Sequence, residues 1–142
     1  MKTKIFLLFT FLILAVSCSK NNPLDSSGIT IANYEGTYTG NGKYEPVGSE
    51  AKPEENLTLV VSKDSTVVLK VASTSKSYTF RNFTMTDDKS YNSMKKTEYG
   101  VTLILSLIFD GNGNVNVSLT IQDNETGTSE IYSSDKLTKT AS

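Results

Sequence analysis

Histidine and tryptophan are absent from this chain, and cysteine and arginine occur once each, as Cys18 and Arg81. Without histidine, neither a His-dependent catalytic triad nor a His-ligated zinc site can form. A single cysteine cannot form a disulfide within the chain, so packing alone must hold the fold together. We therefore expect no catalytic residue, no metal and no cofactor. Carboxylate chemistry is the one catalytic option that remains, and we do not expect an enzyme.

The chain is also poor in net positive charge. The 142 residues have 14 Lys and Arg against 15 Asp and Glu, a formal net charge of −1. Removing residues 1–17 would take away Lys2 and Lys4 and no acid, which moves that charge from −1 to −3. Nucleic-acid binding requires concentrated basic residues to neutralise phosphates, so we expect no nucleic-acid partner.

The N-terminus has the organisation of a secretory signal. Lys2 and Lys4 precede an apolar run over residues 5–16 that only Thr10 interrupts. That run is shorter than the roughly 20 apolar residues that a membrane-spanning helix needs. A basic start, a short apolar segment and small residues before a cleavage site are typical of signal peptides.

The small residue Ser17 is followed directly by Cys18, the one cysteine of the chain. Residues 1–18 thus resemble the lipobox of bacterial lipoproteins, of the Bacteroidetes type because Ala15 replaces the usual leucine. The resemblance implies that Cys18 carries lipid, becomes the first mature residue and anchors the protein in the cell envelope, at the outer membrane. Whether the anchored protein faces the periplasm or the cell surface stays open.

The lipoprotein interpretation divides the chain into three parts. Residues 1–17 are the signal peptide, residues 18–32 hold the lipidated cysteine and a flexible tether, and residues 33–142 form the folded domain. The tether is rich in Asn, Ser, Pro and Gly, which cannot build a core.

Beyond residue 34 the apolar residues alternate with polar ones, and turn residues recur every eight to twelve positions. This pattern predicts an all-β fold of antiparallel strands. Residues 45–55 lack the pattern and are predicted as a loop. Residues 86–98 also lack it and fit either a long polar loop or a short irregular strand. A β-bulge near Arg81 and Asn82 would bring Tyr78 and Phe80 onto one face with Phe83 and Met85. Ile104 and Ile108 point away from the strong inner face of residues 101–109, which suggests that this strand is covered on both sides. Ile131 and Leu137 are predicted to lie in one or two weaker closing strands.

Seven or eight such strands in an up-and-down meander would lose their exposed edges by forming a closed or nearly closed barrel. The first strand, residues 34–40, contains Gly36, Thr37 and Tyr38. This Gly-x-Tyr motif, followed by a meander in a secreted lipoprotein, resembles the calycin-like (lipocalin-like) β-barrel proteins of Bacteroidetes. Lipocalins pair the aromatic residue of that motif with an arginine near the last strand, where this chain has Lys136 and Lys139.

The resemblance implies a binding module that holds a small, neutral, apolar ligand inside the barrel. The alternative is a structural or interaction protein whose barrel is filled by its own side chains and whose unknown protein partner binds the loops. The predicted inner positions are uncharged, which excludes a charged ligand without a buried partner. The candidate ligand-lining residues are Tyr38, Leu59, Leu69, Tyr78, Phe80, Leu105 and Val117.

Three polar motifs have residues of the types found in calcium-binding, acid–base or glycosylation sites. Asp110, Asn112 and Asn114 imitate the start of a calcium loop, but Val115 and Ile121 replace its glycine and bidentate glutamate, so a turn is predicted. The adjacent Asp87 and Asp88 are predicted as surface charge. Asp64, Ser65 and Thr66 resemble the O-glycosylation site of exported Bacteroidetes proteins, which makes Ser65 a candidate for modification.

Overall fold

The computed structural model describes residues 29–141. The predicted signal peptide, Cys18 and residues 18–28 of the predicted tether lie outside the described residues. The described part begins with a short 3-10 helix at Ile31–Tyr34, and the rest is built from strands. The nine strands of residues 29–141 are β1 Gly36–Glu45, β2 Glu54–Val61, β3 Val67–Val71, β4 Lys76–Phe80, β5 Thr84–Asp87, β6 Ser90–Lys96, β7 Val101–Phe109, β8 Asn114–Asp123 and β9 Thr128–Lys139.

All nine strands belong to one antiparallel sheet with the order β4-β3-β2-β1-β9-β8-β7-β6-β5. Neighbours in the sheet are neighbours in the chain, except where β9 returns to pair with β1. The predicted antiparallel meander is therefore confirmed. The predicted strand number and closure are not, because nine strands form and β4 and β5 end the hydrogen-bonded order as two edges.

The sheet curls around one hydrophobic core. Alternating side chains of β2, β3, β7 and β8 point to the inner face, as their period-two pattern predicts. Leu105 pairs with Leu119 and Leu107 pairs with Val117, and all four side chains are buried. Strand β7 is not covered on its outer face, since Ile108 is 53% exposed. The core also includes Ile31 of the 3-10 helix, two residues before the predicted start of the domain.

The bulge predicted near Arg81 and Asn82 is wrong. Strand β4 ends at Phe80, and β5 begins at Thr84 on the opposite edge of the sheet. Asn82 has a φ of 57°, a left-handed conformation that asparagine tolerates better than most residues. The change of parity between Phe80 and Phe83 thus marks a crossing between two strands.

A strand forms within residues 86–98, which is one of the two predicted alternatives. Residues 90–96 form β6, which pairs with β7 along its whole length. Tyr91 and Ser93 point inward and are buried, and the Ser93 hydroxyl donates a 2.7 Å hydrogen bond to the carbonyl oxygen of Arg81. The inner face of β6 has one aromatic ring and one hydrogen-bonded hydroxyl, so its sequence does not show the alternation of apolar and polar residues that identifies a strand.

A bulge of this sheet lies in β9. Val115 pairs with Leu137 and Val117 with Ser134, so β9 has one extra residue at Asp135 and Lys136. The extra residue explains why Tyr132 and Ser134 share the inner face with Leu137. Of the predicted one or two closing strands, one forms, and it contains both Ile131 and Leu137. Among residues 29–141, no helix is long and apolar enough to span a membrane.

Glycines allow β1 to approach the bulge of β9. A Cβ at Gly40 would lie 2.9 Å from the carbonyl oxygen of Lys136, and a Cβ at Gly42 would overlap the carbonyl oxygen of Ser133. The Ser134 hydroxyl donates a 2.7 Å hydrogen bond to the carbonyl oxygen of Asn41 at the same crossing. The glycines are therefore needed for close approach of two backbones.

Substitution of Gly42 should weaken the β1–β9 contact. We expect Gly42→Ala to lower the free energy of unfolding by about 1–3 kcal/mol, since the added methyl group must push two strands apart. Urea unfolding measures the change, with Asn41→Ala as the control because that side chain is exposed on the same strand. Equal stability of both variants would show that β1 and β9 are not in close contact at Gly42.

Candidate functional site

The structure places the predicted ligand-lining residues in the interior of the curled sheet. Six of them are between 0% and 2% exposed, and Tyr78 is partly buried against the same cluster. Whether a ligand touches them stays a prediction. The six buried residues are Tyr38, Leu59, Leu69, Phe80, Leu105 and Val117.

The side chains at the centre of the inner face are in contact with other protein atoms on all sides. Leu59, Leu69, Leu105 and Leu119 are each 0% exposed. A cavity that holds water or a ligand would leave accessible surface on the side chains that line it, and these four residues have none. No space large enough for a water molecule therefore adjoins these four side chains.

Aromatic rings close the lower end of the sheet, which is the end that carries the 3-10 helix and the turn at residues 110–113. The ring of Phe109 stacks on Tyr34 with centroids 4.0 Å apart and meets the edges of Tyr38 and Tyr91. The Tyr38 hydroxyl donates a 2.7 Å hydrogen bond to the carbonyl oxygen of Tyr34. Burial, with the nearby Tyr34 and Asp88, raises the pKa of Tyr91 to about 12, so its hydroxyl is neutral at physiological pH.

A second group of rings closes the upper end, which carries the turn at residues 72–75. Tyr44 stacks on Tyr132 with centroids 4.6 Å apart, and Tyr78 lies 6.4 Å from Tyr132. Burial, with the neighbouring tyrosines and Glu130, raises the pKa of Tyr132 to about 12. Aromatic rings, mostly those of tyrosines, therefore lie at both ends of the interior.

Glu55 is a buried carboxylate at the upper end that the sequence pattern did not single out. It is 7% exposed, and it accepts hydrogen bonds from the backbone N–H groups of Asn56 and Ser73 and from the Ser73 hydroxyl. Burial raises the pKa of Glu55, but these hydrogen bonds together outweigh burial and lower it below 4.5. Glu55 thus holds the β3–β4 turn against β2. The one feature of the sequence that indicates this role is the position of Glu55 two residues before Leu57, which places both side chains on the inner face of β2.

Glu55 should make stability depend on pH. A carboxylate whose pKa is lower in the folded state than in the unfolded state stabilises the fold at pH values above its unfolded-state pKa. This contribution is lost as the pH falls through its folded-state pKa. We expect Glu55→Gln to cost about 1–3 kcal/mol at pH 7 and less at pH 3, as measured by urea unfolding. The matched control is Glu54→Gln, whose side chain is exposed on the same strand. An equal loss at both pH values would contradict the role of the charge.

The candidate modification residue Ser65 lies on the β2–β3 turn, as predicted. Its φ is 63°, and its backbone N–H donates a 3.0 Å hydrogen bond to the carbonyl oxygen of Ser62. The Asp64 carboxylate accepts hydrogen bonds from the N–H and the hydroxyl of Thr66. Glycosylation of Ser65, which is only partly exposed, stays a prediction.

The side chains of Asp110 and Asp87 accept hydrogen bonds within turns. Asp110 accepts hydrogen bonds from the N–H groups of Asn112 and Asn114 and from the Asn114 side chain, which confirms the predicted turn. The hydrogen bond from the Asn114 side chain is the largest of the causes that lower the pKa of Asp110. Asp87 accepts the N–H of Lys89, and both Asp87 and Asp88 are exposed. In the described part of the chain, no group of three or more potential ligands could hold a metal.

Two neighbouring grooves on the surface of the sheet include Arg81. A groove of about 400 Å³ lies between β4 and β6, lined by Thr79, Arg81, Asn82, Met94 and Lys95. Another of about 370 Å³ lies beside it and includes Ser65, Asp64 and Phe83. Arg81 lines both grooves, so the one arginine of the chain stands where the sheet is open.

Comparison with known proteins provides no family for this chain. No family model matches it. No curated protein and no solved structure matches it either.

Proposed function

We propose that this protein is a lipid-anchored lipoprotein of the cell envelope, whose calycin-like barrel is filled by its own side chains and which acts by binding another protein. The main observation in support of this proposal is the packed inner face, where central residues such as Leu59 and Leu105 have no accessible surface. A small-molecule site needs a pocket of several hundred cubic ångströms. The grooves of comparable size lie outside the core, where a macromolecular partner can reach them.

The contact between the first and last strands supports the calycin-like assignment. Tyr38 and Lys139 are paired across β1 and β9, and the Lys139 ammonium lies 5.8 Å from the centre of the Tyr38 ring. Lysine thus takes the place over the ring where lipocalins have arginine. A cation over an aromatic face contributes about 0.5–1 kcal/mol at a partly exposed site.

The lipid anchor rests on the lipobox at residues 1–18 and is tested by Cys18→Ser. A single acyl chain binds membranes only weakly, so stable anchoring requires the several chains of a lipoprotein cysteine. We expect the wild-type protein to stay with membranes after a carbonate wash and the Ser variant to be released. The control is Ser19→Ala, which keeps the cysteine. A Ser variant that remains in the membrane fraction would refute the lipid anchor.

The filled barrel is tested against its alternative, a barrel that binds an apolar ligand. The soluble domain, residues 29–142, is titrated with N-phenyl-1-naphthylamine, a neutral fluorophore that brightens in apolar pockets. We expect no saturable increase in fluorescence. Saturable one-to-one binding would contradict the filled barrel and would favour the ligand-binding module.

A further inference from the structure

Strands β4 and β6 face each other across a gap in the sheet, which we call the seam. Strand β4 pairs with β3 on one side and is an end of the hydrogen-bonded order on the other. Strand β5 covers the edge of β6 only as far as the pairing of Thr84 with Asn92. Residues 93–96 therefore have β7 as their only strand partner in the described part of the chain.

The exposure of inward positions shows that the seam is open at its upper half. Lys95 shares the parity of Tyr91 and Ser93, which are buried, yet Lys95 is exposed. Its partner Leu103 is 8% exposed, the largest value among the buried core residues. The seam forms the groove of about 400 Å³ described above.

The lower half of the seam is closed by a side chain. The Ser93 hydroxyl bonds to the carbonyl oxygen of Arg81 at 2.7 Å, which ties β6 to the end of β4. No ladder joins the two strands above this point within residues 29–141. The groove therefore has one closed end and one open end.

The charge of the seam has one sign. Residues 76–81 and 93–96 contain the four cations Lys76, Arg81, Lys95 and Lys96 and no acid. Among the described residues, ion pairs within 4 Å join only Lys52 to Glu45 and Lys63 to Glu35, so these four cations are in none. The acid of the adjoining groove is Asp64, on the far side of Arg81.

We propose that the seam binds an extended acidic peptide segment of a partner protein, which adds to β4 as a further strand. The free edge of β4 offers backbone donors and acceptors, which is the basis of strand addition. The cations supply attraction to glutamate or aspartate side chains on the incoming strand. Lysines on an edge also repel an identical edge, which argues against a second copy in this place.

The length of the edge sets the size of the segment. Strand β4 has five residues, and a strand advances about 3.3 Å per residue, so about 16 Å is the upper limit for the paired part, because the bond from Ser93 to Arg81 closes the lower end of the seam. The inference depends on the proposed protein-binding function, because it names the surface and the chemistry of the partner.

The test uses the full-length protein in detergent and a fluorescein-labelled peptide of eight residues that alternates valine and glutamate. Fluorescence anisotropy measures its affinity. We expect saturable binding that weakens at least about tenfold in the double variant Lys95→Glu with Lys96→Glu. The matched control, Lys43→Glu with Lys136→Glu, makes the same change in net charge on exposed positions away from the seam and should bind normally.

Two further probes separate strand addition from attraction of charges. A peptide that alternates valine and lysine should not bind. The valine–glutamate peptide with alternate amides N-methylated should lose at least about tenfold in affinity, because it cannot complete the ladder. Equal loss in both double variants, unchanged binding of the methylated peptide, or no saturable binding of the unmodified peptide would each overturn the inference.

If the double glutamate variant does not fold, as judged by circular dichroism, Lys95→Gln with Lys96→Gln replaces it. Its expected loss of affinity is smaller, about threefold or more, and no loss would again overturn the inference. Failure of the peptide to bind leaves the filled barrel intact. Saturable uptake of the neutral fluorophore would instead refute the proposed function without any change in the peptide result.

Discussion

Truncation of Phe109 to alanine should lower the free energy of unfolding by about 3–5 kcal/mol, the range for large aromatic residues in a core. The ring is 2% exposed, stacks on Tyr34 at 4.0 Å and meets the edges of Tyr38 and Tyr91. Its loss would therefore remove the centre of the lower aromatic cap and the support of the 3-10 helix. Urea unfolding followed by tyrosine fluorescence and circular dichroism measures the change.

The control for Phe109 is Tyr99→Ala, because Tyr99 is 84% exposed. Its effect should stay within about 0.5 kcal/mol, as is usual for surface sites. If Phe109→Ala costs no more than this control, the lower end of the interior is not closed by the four rings.

Truncation of Leu105 to alanine should cost about 2–5 kcal/mol. Leu105 is 0% exposed and pairs with Ser93 on β6 and with Leu119 on β8, so it lies in the middle of the packed interior. Its neighbours are held by ladders on both sides and can fill the vacated space only in part. The cost should therefore include a cavity contribution in addition to the lost burial.

Ile108→Ala is the control for Leu105, since it truncates an aliphatic side chain on the outer face of the same strand. With Ile108 53% exposed, we expect a much smaller loss, within about 1 kcal/mol. Similar losses for the two variants would mean that the inner and outer faces of β7 are wrongly assigned.

The strands that could be predicted are those whose inner faces consist of aliphatic residues. In β7 and β8, the recurrence of Leu, Val and Phe at every second position determined both the strand and its face, and the turn at residues 110–113 determined their pairing. Local sequence decides such hairpins because register and parity are coupled.

The parts that could not be predicted depend on contacts between residues distant in the chain. Ser93 of strand β6 is buried because its hydroxyl donates a hydrogen bond to the carbonyl oxygen of Arg81. Glu55 is buried because Ser73, in the turn after β3, donates two hydrogen bonds to it and the N–H of Asn56 on its own strand donates a third. The hydropathy pattern of a sequence does not show whether a buried polar group finds a hydrogen-bond partner. The pairing of β1 with β9, across the whole domain, likewise leaves no local pattern.

The candidate sites divide in the same way. The interior residues were predicted from parity alone, whereas the cationic seam requires the knowledge that β4 and β5 lie on opposite edges. Residues 78–85 looked like one bent strand, and this interpretation concealed the gap. Lys95 and Arg81 come together only because the chain crosses at Asn82.

The measurement that tests the central claim most directly is a crystal structure of the domain under xenon pressure. Xenon enters preformed apolar cavities that water leaves empty, so it reports on interior space without a known ligand. The filled interior predicts no xenon between Leu59, Leu69, Leu105 and Leu119, the residues with 0% exposure. A well-occupied xenon atom among these side chains would contradict it and would show a ligand-sized space inside the curled sheet.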